Sequence, residues 1–289
     1  MINPVFPDLK GKSCVITGGA GILGRAMCEA LAEQGVRLCI VGRDAAKAGA
    51  LASDLSARYK NEAFGVSCDV TDEDALIKLQ TELRGRFGHL DLLVNGAGGN
   101  DPSSVSKMEQ LFPREGTKGT SSEDYDLSGS FFDLDQTGFA KVFGLNFTGT
   151  LLPIKVLGQD MLGKGSILNI SSVSALLPLT KVAAYGTAKT AVTNLTQWLS
   201  VHLARTGIRV NALVPGFFLT EQNRFLLTEK ETGELTERGN KVVRSTPMGR
   251  FGTPDELSGA VLYLLSEASA FVTGIVLAVD GGFTAYSGV

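Results

Sequence analysis

Seven short apolar runs recur along the chain, interleaved with longer segments of helical spacing, and this alternation limits the fold more than any other feature. The runs are SCVITG (13–18), VRLCIVG (36–42), AFGVSCD (63–69), LDLLVNG (90–96), GSILNIS (165–171), IRVNALVPG (208–216) and GIVLAVDG (274–281). Between them lie helical patterns such as GRAMCEALAEQ, DEDALIKLQTELRGRFG, AKTAVTNLTQWLSVHLART and PDELSGAVLYLLS. Strands that alternate with helices imply βαβ crossovers, hence a parallel sheet covered on both faces. The pattern occupies almost all of the 289 residues, a length that suits one large α/β domain spanning 1–289.

Two segments interrupt the alternation. Residues 100–136 are rich in Ser, Gly and charge and have little apolar periodicity, whereas 217–246 read as two short helices around a glycine-containing turn. Both follow strands, and in an open parallel sheet ligands bind outside the carboxyl ends of the strands. The two insertions are therefore expected to cover a site, the alternative for the first being a loose surface loop.

Composition removes several classes of function. A net charge of −3 with no dense Lys/Arg run argues against a nucleic-acid partner. No apolar run is long enough to span a bilayer, and the start MINPVFPDLKGKS has no basic region followed by an apolar one. The four cysteines, Cys14, Cys28, Cys39 and Cys68, lack metal-like spacing and read as reduced core residues of a cytoplasmic protein. With only His89 and His202 in the chain, no metal site or Ser-His-Asp hydrolase is expected, and proton transfer falls to another residue type.

The first strand runs into TGGAGILG, Thr17 to Gly24, followed by a helix. Glycines at such a turn let backbone approach a pyrophosphate, which the helix N-terminus stabilises. After the second strand comes GRDAAK. An NAD site usually places an acid there for the ribose hydroxyls, whereas a nearby Arg accepts a 2′-phosphate. Gly42 followed by Arg43 points to NADP(H), with NAD(H) possible, and Asp44 reads as the cap of the next helix. CDVTD (68–72) sets Asp69 beside an adenine ring, or caps the helix that follows, and both can hold. VNGAGG (94–99) offers bare backbone beside a ligand.

Tyr185 and Lys189, in AAYGTAK, lie four apart and so share one helix face. A phenol titrates near 10, too high for proton transfer at neutrality, and an ammonium one turn away lowers that value. Taken alone, the pair is either a tuned acid/base couple or a half-buried Tyr beside a solvated Lys.

TGGAGILG, CDV, VNGAGG, GLNFTG, ILNISS, YGTAK and VPGFF together resemble the short-chain dehydrogenase/reductases in order and spacing, from about Leu9 to the C-terminus. The resemblance implies a Rossmann-type doubly wound sheet and hydride transfer between a nicotinamide dinucleotide and a CH–OH group. It implies that Tyr185 is the general acid/base and that Lys189 lowers its pKa and binds the nicotinamide ribose. Ser172, thirteen residues before Tyr185, would polarise the substrate oxygen, and Asn146 would hold a water in a proton relay. Cofactor contacts would come from Gly18, Gly21, Ile22, Leu23, Gly24, Arg43, Asp69, Val70, Asn95, Gly96, Ala97, Gly98, Tyr185, Lys189, Pro215, Gly216 and Phe218. The sequence departs from the family pattern at Ile22, which replaces the middle glycine of the first motif, and at Gly96, where the family usually carries Asn.

NGAGGN, LNFTGTLLP, LPLTKVAAY, VPGFFLTEQNRFLL, TPMGRFG and VDGGFTAYSGV are similar to one bacterial branch of that family, described as D-mannonate oxidoreductases or fructuronate reductases. The branch implies a sugar-acid substrate, with other sugar-acid or polyol dehydrogenases, or a non-catalytic dinucleotide-binding regulator, as the alternatives. A sugar acid needs a cation for its carboxylate and donors for its hydroxyls. Asn100, Ser172, Lys181, Tyr185 and Arg224 are the expected substrate contacts, with Gln222 and Asn223 nearby. Lys181 reads equally as a solvated loop lysine, and Arg224 as a partner of Glu221. The family also implies a homotetramer, built through the helices after Gly138 and Tyr185 and the C-terminal strand.

Overall fold

A computed structural model describes residues 5–219, 227–229 and 232–288. Strands β1 (Ser13–Thr17), β2 (Arg37–Gly42), β3 (Ala63–Ser67), β4 (Leu92–Asn95), β5 (Gly165–Ile170), β6 (Ile208–Pro215) and β7 (Val276–Val279) form one sheet. All its pairings are parallel, in the order β3-β2-β1-β4-β5-β6-β7. The fold is thus the expected single-domain Rossmann-like one. β1 lies between β2 and β4, so the direction of winding reverses there and opens a crevice at the carboxyl ends of β1 and β4.

The period of two within each strand builds two cores. Cys14, Ile16, Leu38, Ile40, Leu92, Val94 and Leu168 face one side, where they meet α1 (Ile22–Glu33), α2 (Ala45–Tyr59) and α8 (Ser258–Leu265). Val15, Cys39, Val41, Leu93, Ile167 and Val210 face the other, against α3 (Glu73–Phe87), α5 (Gly149–Leu157) and α6 (Ala183–His202). Strands apolar on both faces read as continuous apolar runs, the feature that made them visible in the sequence. Each fully buried Leu or Ile contributes roughly 1.5–3 kcal/mol. All four cysteines are free and buried, and burial pushes their thiol pKa values up. No helix among the described residues is long and apolar enough to cross a membrane.

The first insertion is not loose. Three 3₁₀ turns, Pro102–Ser104, Ser122–Asp124 and Phe131–Asp133, stiffen it, and Pro113 pairs with Tyr125 in an antiparallel bridge. Its Ser106 N–H donates to the Lys181 carbonyl (3.0 Å), and Glu109 forms an ion pair with Lys241 of α7 (Glu237–Arg244). The insertion leads into α4 (Gln136–Phe143), whose first turn the Asp135 carboxylate caps. In the second insertion α7 is a helix, but Thr228 and Leu235 pair across the Gly233 turn as an antiparallel bridge, not as helix. The other helix expected there falls largely on residues 220–226, outside the described residues.

Candidate active site

The turn after β1 is shaped by how closely three backbone segments approach. Gly18 has φ of 68°, and a Cβ there would lie 2.6 Å from the Gly96 carbonyl oxygen. Gly24, in the first turn of α1, leaves no room either, since a Cβ would fall 2.2 Å from the Gly18 carbonyl oxygen. The α1 N-cap is Gly21, which has no side chain to occupy the first-turn N–H groups. A helix N-terminus without a side-chain cap, reached through glycine backbone, suits a pyrophosphate. Ile22 and Leu23 extend the same wall.

At the end of β2, Arg43 is exposed beside the crevice. Asp44 caps α2 as expected, accepting from Lys47 N–H at 3.0 Å, with the Lys47 ammonium 3.7 Å from its other oxygen. Asp69 accepts from the N–H and hydroxyl of Thr71, and Asp72 rather than Asp69 caps α3. Val70 is buried against Gly149, and Asn95 turns into the core. Neither is part of the crevice wall. Asn95 Nδ2 donates to Asn169 Oδ1 (2.9 Å), and Asn169 Nδ2 donates to Thr196 Oγ1 (2.8 Å), which ties β4 and β5 to α6. Register explains the change of role, because Thr17 pairs with Asn95 and only the next residue, Gly96, emerges at the crevice.

Asn146 sits in a π-helical turn, Gly144–Thr148, between α4 and α5. Single π turns insert one residue into the helix spacing and recur at functional sites. Here the turn leaves Asn146 fully buried, with Nδ2 donating to Gly99 O (2.7 Å) and Val142 O (2.8 Å) and Oδ1 accepting from Gly99 N–H (3.2 Å). The side chain thereby clamps the loop after β4. Gly98 lies so close that a Cβ would meet Asn146 Oδ1 at 2.6 Å and Lys189 Nζ at 3.2 Å.

Ser172 follows β5, and Tyr185 and Lys189 come from α6. Lys189 is buried, and its ammonium donates to the Ile170 carbonyl (2.8 Å) and lies 5.7 Å from the Tyr185 ring centroid. Burial lowers the Lys189 pKa to about 8. Burial also raises that of Tyr185, against a lowering by the hydrogen bond with Ser172. The expectation that Lys189 depresses the phenol pKa is thus corrected. Desolvation of the phenolate sets the direction, and the group that opposes it is Ser172.

These elements enclose a cleft of about 810 Å³. Of the residues expected at a cofactor, Gly18, Gly21, Ile22, Leu23, Gly24, Arg43, Gly96, Gly98, Tyr185, Lys189, Pro215, Gly216 and Phe218 line it, as does Ser172. Asp69, Val70, Asn95 and Ala97 do not, and the Ala97 N–H is taken up by Thr17 Oγ1 (3.2 Å). Asn100 is absorbed by its own loop, Oδ1 accepting from Asp101 N–H and Ser104 Oγ. Lys181 is half-buried, with φ of 73°, outside the lining. Arg224, Gln222 and Asn223 lie outside the described residues.

Two family descriptions match the chain: short chain dehydrogenase over residues 12–113, and enoyl-(acyl carrier protein) reductase over 117–284. The second covers more than half of the chain. This protein belongs to the short-chain dehydrogenase/reductase family. An uncharacterized oxidoreductase of Bacillus subtilis, UxuB, is 45% identical over 99% of both chains. A Haemophilus influenzae structure with bound NAD, provisionally described as a D-mannonate oxidoreductase, is 40% identical, covers 98% of each chain and superposes with a TM-score of 0.87. A gluconate 5-dehydrogenase from Burkholderia cenocepacia, in complex with NADP and tartrate, is 29% identical, with 97% of this chain and 98% of that one covered and a TM-score of 0.78. As a short-chain dehydrogenase/reductase, the protein is an NAD(P)-dependent oxidoreductase.

Several wall residues of this short-chain dehydrogenase were not anticipated, among them Ala20, Met27, Gly99, Ile170, Ser171 and Phe217. Phe217 and Ser171 each adjoin an expected residue and were within reach of the motifs. Met27 shows no such signal, because it enters the wall from the second turn of α1 while serving the core. Among the described residues no group of three or more His, Cys, Asp or Glu is placed to hold a metal ion.

Proposed function

We propose that this enzyme interconverts a hydroxyl and a ketone on a sugar acid, with D-mannonate and D-fructuronate as the substrate pair. The observation that carries the reading is that Ser172, Tyr185 and Lys189 share one cleft with the glycine turn of β1. The substrate class is supported by likeness to the Haemophilus influenzae protein described as a D-mannonate oxidoreductase.

When bound, the nicotinamide ring supplies or accepts the hydride. In reduction Tyr185 gives its proton to the oxygen that becomes the hydroxyl, and in oxidation its phenolate takes that proton back. Ser172 donates a hydrogen bond to the same oxygen, stabilising the charge that develops there. Lys189 would hold the nicotinamide ribose. Asn146, anchored to Gly99, carries the water that relays protons to bulk solvent. Arg224 is assigned to the substrate carboxylate, with Lys181 reaching it from beyond the cleft wall, and Asn100, whose Oδ1 is held by its own loop, offers its amide group to a hydroxyl.

NADP(H) is the favoured cofactor in this reading, with NAD(H) also accepted. The Asp44 carboxylate is engaged as a helix cap, which leaves Arg43 as the charged group free to meet a 2′-phosphate. The NAD of the Haemophilus structure argues the other way, so the ratio of rates with the two cofactors decides. We assign the protein to the cytoplasm as a homotetramer. Exposed Trp198 and Val201 on α6, and Phe271 and Ile275 beside β7, are the apolar surface such an assembly would cover.

The gluconate 5-dehydrogenase likeness favours a second reading, a dehydrogenase of another sugar acid or a polyol. Initial rates separate them: D-fructuronate with NADPH or NADH, D-mannonate with either oxidised cofactor, and gluconate and a neutral hexitol alongside. Turnover confined to mannonate and fructuronate supports the first reading. Turnover of the hexitol with every acid inert overturns the sugar-acid assignment.

A further inference from the structure

Ser172 is more tightly constrained than a catalytic serine needs to be if its hydroxyl is to rotate freely. It opens a short 3₁₀ turn, Val173–Ala175, with extended backbone (φ −164°, ψ 155°), and only 8% of its surface is exposed. Ser174, still more buried, makes two contacts with it. The Ser174 N–H donates to Ser172 Oγ at 3.2 Å, and the Ser174 hydroxyl donates to the same oxygen at 3.0 Å. A serine oxygen has two lone pairs and one proton. With both lone pairs engaged by Ser174, what remains for Ser172 is to donate.

We propose that Ser174 is a positioning residue, which converts Ser172 into a donor whose single proton goes to the Tyr185 oxygen before substrate binds and to the substrate oxygen once it is bound. The inference rests on the catalytic reading of Ser172 and Tyr185 above. Without Ser174 Oγ, Ser172 recovers a free lone pair and can accept the Tyr185 proton instead of stabilising the phenolate. The turn is also where α6 begins to pack. A Cβ on Gly186, the residue after Tyr185, would stand 3.5 Å from the Ser174 carbonyl oxygen, so the turn that carries Ser172 and Ser174 packs against the first turn of α6. Lys189, from the same helix, lies 5.7 Å from the Tyr185 ring centroid, and the uncharged Ser172 bonds the phenol from the turn after β5.

The test compares Ser174→Ala and Ser174→Thr with Ser172→Ala and Tyr185→Phe. Two readouts are used: steady-state rates with D-mannonate, gluconate and a hexitol, and phenolate absorbance titrated against Tyr185→Phe as the blank. Loss of one hydrogen bond predicts a fall in kcat of about tenfold for Ser174→Ala, with KM held within about twofold. The Tyr185 titration should move upward by about half a pH unit or more. Threonine, which keeps the hydroxyl, should restore both. The inference is overturned if Ser174→Ala titrates and turns over as wild type while Ser172→Ala is inactive, and the catalytic reading then survives. It is equally overturned if kcat falls with no movement of the titration and no rescue by threonine, which is the signature of a structural role. Wild-type turnover in Ser172→Ala would remove the catalytic reading of Ser172 and this inference together.

Discussion

Replacing Gly24 with alanine tests the glycine turn where its geometry is tightest. The added carbon would lie 2.2 Å from the Gly18 carbonyl oxygen and 2.8 Å from Gly19 Cα, both backbone atoms that no rotamer change can move. A carbon–oxygen contact relaxes at about 3.3 Å, so α1 and the turn must separate by about 1 Å. Overpacking of that kind costs about 1–3 kcal/mol of stability. The larger effect falls on binding, because the same shift draws the first-turn N–H groups off the pyrophosphate. Two charge-assisted hydrogen bonds at about 1.5 kcal/mol each weaken the dinucleotide Kd by roughly a hundredfold. Fluorescence titration with NADPH measures the loss, and a thermal melt measures the stability cost. Gly49→Ala, on α2 with nothing within 4 Å of the new carbon, is the control. It should gain about 0.5–1 kcal/mol and leave Kd unchanged. A Gly24→Ala enzyme that binds NADPH within about twofold of wild type would refute the assignment of this turn to the pyrophosphate.

Lys189 predicts a stability profile in pH. Its folded pKa of about 8 lies below the unfolded value of about 10.4, so between these limits the unfolded chain binds more protons and stability rises with pH. The rise is on the order of 3 kcal/mol for the cofactor-free protein, complete above the unfolded pKa and lost as pH falls to about 8. Denaturant titrations of Lys189→Met should lack that rise and show higher stability at neutral pH, together with loss of activity. Arg43→Ala should weaken NADPH binding by about tenfold and leave NADH within about twofold. Equal losses for both would remove Arg43 from a 2′-phosphate site. Lys181→Met should raise KM for D-mannonate by about tenfold or more without changing KM for a neutral hexitol, and equal effects would exclude Lys181 from the carboxylate.

The sheet was legible because both its faces are buried. Ile16 serves one core and Val15 the other, so the apolar run needs no tertiary information to be recognised. Gly18, Gly24, Tyr185 and Lys189 were likewise readable, since spacing fixes where a turn or helix face delivers them, whereas Ser172 was reached only through the family resemblance. What spacing leaves open is the direction of a side chain at the last residue of a strand. Asn95 belongs to a binding motif by position, yet it points at Asn169 and closes a hydrogen-bond chain in the core. Nor does composition register the π turn that buries Asn146 against Gly99, because one extra residue in a helix has no sequence mark. The 100–136 segment looked shapeless for a related reason. Its order comes from carboxylates bonding local backbone, as Asp124 does with Thr120 and Ser121, and not from apolar periodicity. The titration of the Tyr185 phenol is equally out of reach of spacing. Proximity of Lys189 suggested a lowered pKa, whereas the balance turned on burial, which spacing does not report.

The most direct test of the account is Tyr185→Phe, assayed for turnover of D-mannonate, gluconate and a hexitol and for dinucleotide affinity in the same preparation. Loss of the acid/base predicts a fall in kcat of roughly a hundredfold or more for whichever substrate the wild-type enzyme accepts. NADPH and NADH should bind as in wild type, because the phenol is not what holds the pyrophosphate. Retention of wild-type turnover with intact cofactor binding would contradict the account, because proton transfer would then belong to a group other than Tyr185.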